Sequence, residues 1–155
     1  MKVLYMNKEE EWYKDKILWK TNKQNLFHYK CIKFDDLEDE YKLCIKKIIP
    51  SKENPILVFF DSCNKWTVLS TQSVCSYHEK ILYLVLKNNL IQKITPYAEK
   101  GKNLDMSKFK KEPVHWLKMN ETGEYIWLPS SKELWGFWPI LVMLGKLKYN
   151  PNLYL

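Results

Sequence analysis

Cys75 and His78 stand three residues apart, a C-x-x-H spacing that supplies half of a zinc site when a second ligand pair is present. His28 and Cys31 are the only other such pair, and they lack a metal-binding spacing relative to the first. No metal or cofactor is therefore expected. A Cys-His-Asp nucleophilic set can be drawn on paper from four cysteines and three histidines, but nothing in the sequence places its members together. His115 lies between Val114 and Trp116 and reads as a surface or half-buried sheet residue. The G-x-S-x-G, P-loop, H-E-x-x-H and dinucleotide signatures are absent. The chain reads as non-enzymatic, and an enzyme built on Cys75 and His78 is the least favoured alternative.

Charge offers one binding candidate. Lys100, Lys102, Lys108, Lys110 and Lys111 fall in the most hydrophilic internal stretch, AEKGKNLDMSKFKKE. Such a cluster suits an anionic partner: an acidic protein, a nucleic-acid backbone or an acidic lipid surface. The net charge of +7 comes entirely from lysine, since no arginine is present. Lysine is a point charge without the bidentate fork that reads phosphates and guanines, so a dedicated nucleic-acid reader is disfavoured. A solvated surface loop is the simpler reading of the cluster.

The elements that must position these residues are legible in part. At 155 residues and 46% hydrophobic content the chain is long enough for one domain with its own core, spanning 1–155. Residues 1–50 read as a mixed or helical extension, and 55–147 as the core. Val3, Tyr5 and the Ile17–Trp19 cluster follow no sustained period, and 26–34 reads as either a strand or a short helix. Asp35 and Asp36 followed by Leu37, Tyr41, Cys44, Ile45, Ile48 and Ile49 predict an amphipathic helix of three to four turns, stopped by Pro50. PILVFFDS reads as a buried strand. WTVLSTQSVCSYH reads as an alternating one, with Thr67, Leu69, Cys75 and Tyr77 on one face and Trp66, Val68 and Val74 on the other. Two more strands flank Asn88 and Asn89, with Leu82, Leu84 and Leu86 on a shared face.

PVHWLKM, NETG and EYIWLPS predict a hairpin turning at Gly123, with Trp116 and Trp127 close enough to pair across strands. The run from Leu134 to Leu144 is apolar throughout except for Gly136, and it follows a Ser130/Glu133 capping-box spacing. It predicts a helix buried on most of its circumference, bent on entry and straight from Pro139 to about Lys146. The run is too short for a bilayer, so no transmembrane segment is expected. Trp116, Trp127, Trp135 and Trp138 are expected in the core; any that is exposed would mark a protein interface. The N-terminus lacks a signal-peptide apolar region, and the cysteines at 31, 44, 63 and 75 show no scaffold spacing. The expectation is a reducing, cytoplasmic setting with free thiols.

ILVFFDSCNKWTVLST (56–71), TGEYIWLP (122–129) and GFWPILVML (136–144) resemble a loose set of bacterial proteins with the pleckstrin-homology-like (PH-like) fold. The resemblance covers roughly residues 55–147. It implies an α+β fold: a strongly bent antiparallel sheet, or partly open barrel, with a C-terminal helix, here preceded by an extra N-terminal helix. It implies a binding role and no catalytic one. The basic pattern of lipid-binding members in their first hairpin is missing, so head-group recognition does not carry over. The functional expectation is a cytoplasmic binding module acting through a protein partner, with immunity-type toxin neutralisation as one version. The alternative is an anionic-surface binder, for nucleic acid or acidic lipid, using the Lys100–Lys111 stretch.

Overall fold

The computed structural model of the chain describes residues 7–100 and 113–150. Its apolar runs fold into an α+β architecture with two antiparallel sheets. The larger sheet is a meander of β2 (Pro55–Ser62), β3 (Lys65–Ser70), β4 (Ser73–His78) and β5 (Ile81–Leu86), edged by the short β1 (Ile32–Lys33) beside β2. PILVFFDS has no polar residue between Ile56 and Phe60 because both faces of β2 are covered. Leu57 and Phe59 enter the main core, whereas Val58 and Phe60 enter a second core on the other side.

The alternation expected across 66–78 is broken. Thr71 and Gln72 form a two-residue turn, and the reversal pairs Trp66 with Tyr77 and Val68 with Cys75. Directly opposed residues share a face, so Cys75 and Tyr77 lie with Trp66 and Val68, while Val74 joins Thr67 and Leu69. The next reversal, between β4 and β5, uses Glu79 and Lys80, both left-handed at φ 53° and 63°. Two consecutive positive φ values give a turn whose twist matches the flanking strands. Leu82 and Leu84 pack on the second core as the alternation requires, and Leu86 beyond them is exposed.

The smaller sheet is β6 (Ile94–Tyr97), β7 (Trp116–Met119) and β8 (Tyr125–Trp127). The expected hairpin forms, with Gly123 at φ 87° and its N–H on the Met119 carbonyl at 2.7 Å. Trp116 and Trp127 are direct cross-strand partners. Leu117, Met119 and Ile126 face the main core, and Trp116, Lys118 and Tyr125 alternate onto the outer face.

Helix α1 (Lys8–Lys23) is capped by the Asn7 side chain, which accepts the Glu10 N–H at 2.8 Å. Glu9, Glu10 and Glu11 occupy its positive end, Lys20 and Lys23 its negative end, and Tyr13, Ile17 and Thr21 form its buried stripe. Helix α2 (Asp39–Lys46) is shorter than the predicted helix. Leu37 is buried in an extended conformation after a 3-10 turn at Phe34–Asp36, so neither Asp35 nor Asp36 caps it and the regular helix starts after Glu38. Helix α3 (Ser131–Lys146) runs continuously through Pro139, which corrects the expected start of the straight segment at that residue. No helix among the described residues is long and apolar enough to cross a membrane.

Two glycines set how closely α3 approaches its neighbours. A Cβ on Gly136 would lie 2.5 Å from Cδ2 of Leu26, and one on Gly145 would lie 3.0 Å from Cβ of Leu90. The capping box expected from the Ser130/Glu133 spacing does not form: the Ser130 side chain caps no backbone N–H and instead donates to the Glu133 carboxylate, whose other oxygen accepts the N–H of Lys30 at 3.1 Å.

The expectation of four free thiols is overturned. Cys44 on α2 and Cys63 in the β2–β3 turn form a disulfide with their Cα atoms 5.9 Å apart, while Cys31 and Cys75 are free and buried. Docking of α2 over the second core brings the pair together, a juxtaposition that a separation of 19 residues does not announce.

Candidate functional site

The cysteine and histidine candidates do not assemble. Residues three apart in a strand point to opposite faces, and β4 sends Cys75 into the second core and His78 to the other side. Burial, reinforced by the charge of Glu53, pushes the Cys75 thiol up to about 12; burial and Glu133 do the same to Cys31. Neither supplies a thiolate nucleophile near neutral pH. His28 is exposed, and His115 is half-buried with Nδ1 3.2 Å from the Leu128 carbonyl. Among the described residues no group of three or more His, Cys, Asp or Glu side chains is placed to hold a metal ion.

His78 sits in an aromatic cluster that joins the two sheets. Its ring stacks on Tyr83 at 4.7 Å and meets the edge of Trp116 at 4.6 Å. Burial lowers its pKa, only partly opposed by the bond to the Tyr125 carbonyl. Lys100, the described member of the lysine cluster, is folded onto this same surface. Its ammonium lies 4.8 Å from the Tyr83 ring centroid, 5.5 Å from that of Tyr125 and 3.6 Å from Glu79. Burial lowers its pKa, but the Tyr83 hydroxyl and Glu79 together raise it by more, to a net value above the usual lysine range. Lys102, Lys108, Lys110 and Lys111 lie outside the described residues. Lys65 covers Trp116 and Trp127 from the start of β3, with Asp61 and His115 beside it around a hollow of about 310 Å³. Lysines here already rest on rings or a carboxylate: Lys65 and Lys118 lie over aromatic rings, and Lys100 is also paired with Glu79.

The other side of the molecule differs. Leu134, Phe137, Ile140, Leu141 and Leu144 of α3 are fully buried in the main core. The opposite face carries Trp135, Trp138, Pro139, Val142 and Met143, which with Lys20 and Lys146 line a groove of about 570 Å³. Trp135 is 38% exposed and stacks on Trp138 with ring centroids 5.7 Å apart. Positions 135, 138, 139, 142 and 146 recur at helical spacing and form one stripe along the helix. On α1, Trp19 is 52% exposed beneath the ammonium of Lys23.

The expected core placement holds for Trp127, which is buried, while Trp135 is exposed and Trp116 and Trp138 are half-buried. The signal for this surface was in the apolar run itself. Eleven residues of helix without a charge exceed what one-sided packing on a sheet requires, and they divide at 3.6-residue spacing into two apolar rows. Neither a protein-family model, nor a curated protein, nor a solved structure matches the chain.

Proposed function

We propose that the chain is a non-enzymatic binding module that engages a protein partner through the outer face of α3. The observation that carries this reading is the second apolar row of α3, in which Trp135, Trp138, Pro139, Val142 and Met143 line a groove while the first row fills the core, with Trp138 packed partly against that core. A large apolar patch rimmed by polar residues is the usual mark of an interaction site, and tryptophan is the residue most enriched at its energetic centre. The sequence of four meandering strands, three further strands and a closing helix supports a PH-like assignment, with α1 and α2 placed ahead of it. The proposal includes a bacterial, cytoplasmic setting, and its immunity-type version has this face occlude a toxin. The Cys44–Cys63 bridge argues for an oxidising compartment instead, and fractionation of the host decides between the two.

A photoreactive amino acid introduced at Val142, with a control at the exposed Leu43 of α2, tests the reading in host lysate. A discrete adduct from position 142 and none from position 43 is expected. Adducts from both positions alike, or from neither, reject it.

A further inference from the structure

The α3 groove is bordered by charge of one sign. Lys20 flanks it from α1 and Lys146 from the last turn of α3, and among the described residues no carboxylate lines it. Among the described residues neither lysine takes part in an ion pair or lies over a ring, in contrast to Lys14, Lys42, Lys65, Lys100 and Lys118. The sorting of charge along α1 has the same sense. Its glutamates are gathered in the first turn and Lys20 and Lys23 in the last, so the end that reaches the groove is basic. Glu133, the acidic residue of α3, is buried and held by Ser130 and the Lys30 N–H.

The groove also has the dimensions of a helix. Trp135 to Lys146 spans about 16 Å at 1.5 Å per residue, or three turns. A side-chain stripe at this spacing accepts the ridges of a second helix. A second copy of this chain is a poor occupant, because a two-fold contact would bring the Lys20 and Lys146 rims together.

We infer that the groove between α3 and Lys20 of α1 receives an amphipathic helix of about three turns whose apolar stripe is flanked by Asp or Glu. This rests on the reading of α3 as the binding face and adds the partner's chemistry to it. The apolar residues supply burial, and the unpaired lysines select against neutral or basic helices.

The test is a random peptide display library, about sixteen residues long, panned on the full chain and counter-selected against Val142→Lys. Expected are enriched peptides with apolar residues at helical spacing and acidic flanks. Their affinity should fall about ten-fold or more on Lys20→Glu combined with Lys146→Glu. Enriched apolar peptides without acidic bias, or with affinity indifferent to that double variant, overturn the inference and leave the binding face standing. Enrichment equal on the wild type and Val142→Lys overturns both. Vesicles of phosphatidylcholine with phosphatidylserine form a parallel arm. Vesicle binding abolished by Val142→Lys, with no peptide enrichment, assigns the face to an anionic membrane and overturns the helix.

Discussion

The side chain of Thr67 in β3 donates a hydrogen bond to the backbone carbonyl of Trp127 in β8, across 60 residues and between the two sheets. The same tryptophan's N–H reaches the Ser76 hydroxyl at 2.9 Å, and Ser76 lies 2.8 Å from Thr67. With Ser76 donating to Thr67, the three groups close a ring in which each hydroxyl donates once and accepts once. No water is needed to satisfy it, and both hydroxyl residues are fully buried.

Thr67→Val keeps the shape but removes the donor to the Trp127 carbonyl and the acceptor for the Ser76 hydroxyl proton, while Ser76 still accepts the Trp127 N–H. The expected cost is about 2 kcal/mol, a fall in Tm of roughly 4–8 °C by thermal melt. Ser76→Ala added to it should cost less than the sum of the single changes, with a coupling of about 1 kcal/mol; strict additivity would mean that the ring does not act as a unit.

Gly136→Ala tests close packing against helix propensity. Alanine is favoured over glycine in a helix by about 1 kcal/mol, yet its Cβ would collide with the fully buried Leu26. A net loss of about 0–2 kcal/mol in urea unfolding is expected, from an overpacking cost of about 1–3 kcal/mol offset by that propensity. Leu26→Val should recover part of the loss in the Gly136→Ala background. A Gly136→Ala protein more stable than wild type would mean that α3 does not press on Leu26.

The two apolar rows of α3 should respond oppositely to charge. Leu141→Asp places a carboxylate in the core, at a cost of several kcal/mol, and should abolish the folded far-UV and fluorescence signals. Val142→Asp one residue later, on the groove side, should leave the fold intact and the melt within about 1 kcal/mol of wild type. Equal damage from both would mean that the groove side is as buried as the core side.

Thiol counting resolves the cysteines. The native protein should show no rapid reaction with a thiol reagent, because Cys31 and Cys75 are buried with their thiols raised to about 12. Denaturation should release two thiols, and reduction four. Reduction should lower stability by about 3 kcal/mol, as expected for a loop of this length. Four reactive thiols in the denatured, unreduced protein would contradict the bridge.

His78 makes stability depend on pH. Burial holds its folded pKa below the ordinary value of 6.5, so the unfolded chain binds the proton first as pH falls. The His78 contribution is intact above 6.5 and is lost progressively as pH drops toward the folded value. Glu10 acts in the opposite sense in a lower window: burial raises it above 4.5, so the folded state takes up the proton first there and gains stability as pH falls. Replacing His78 by Gln should flatten the fall in Tm just below pH 6.5. An unchanged slope would place the titrating group elsewhere.

Local pattern made much of this structure legible. The Gly123 hairpin, the Trp116–Trp127 pair, β2 and the position where α3 starts follow from turn chemistry and alternation, although the Ser130 side chain caps no backbone N–H. The reversals at Thr71–Gln72 and Glu79–Lys80 were opaque, since neither pair holds the Gly or Asn that normally announces a tight hairpin. The length of α2 was decided by burial of Leu37, a tertiary effect, and the Cys44–Cys63 pairing by how α2 docks. Of the candidate lysines, Lys100 proved to be tied to Tyr83 and Glu79, which its hydrophilic neighbourhood gave no reason to expect. Lys20 and Lys146 stood in different helices, and only the packing of α1 beside α3 brought them to one groove.

The bond between Glu133 and the N–H of Lys30 spans 103 residues, and the Tyr13 hydroxyl meets the N–H of Tyr149 across 136. On the ribosome, α1 therefore emerges with its apolar stripe long before the helix that covers it has been made. The sheet between them has time to pair strand by strand and α1 can meet β2, but its packing is complete only after α3 has left the exit tunnel. Until then the stripe of Tyr13 and Ile17 is incompletely covered, so the earliest part of this fold to be synthesised is among the last to be fully buried.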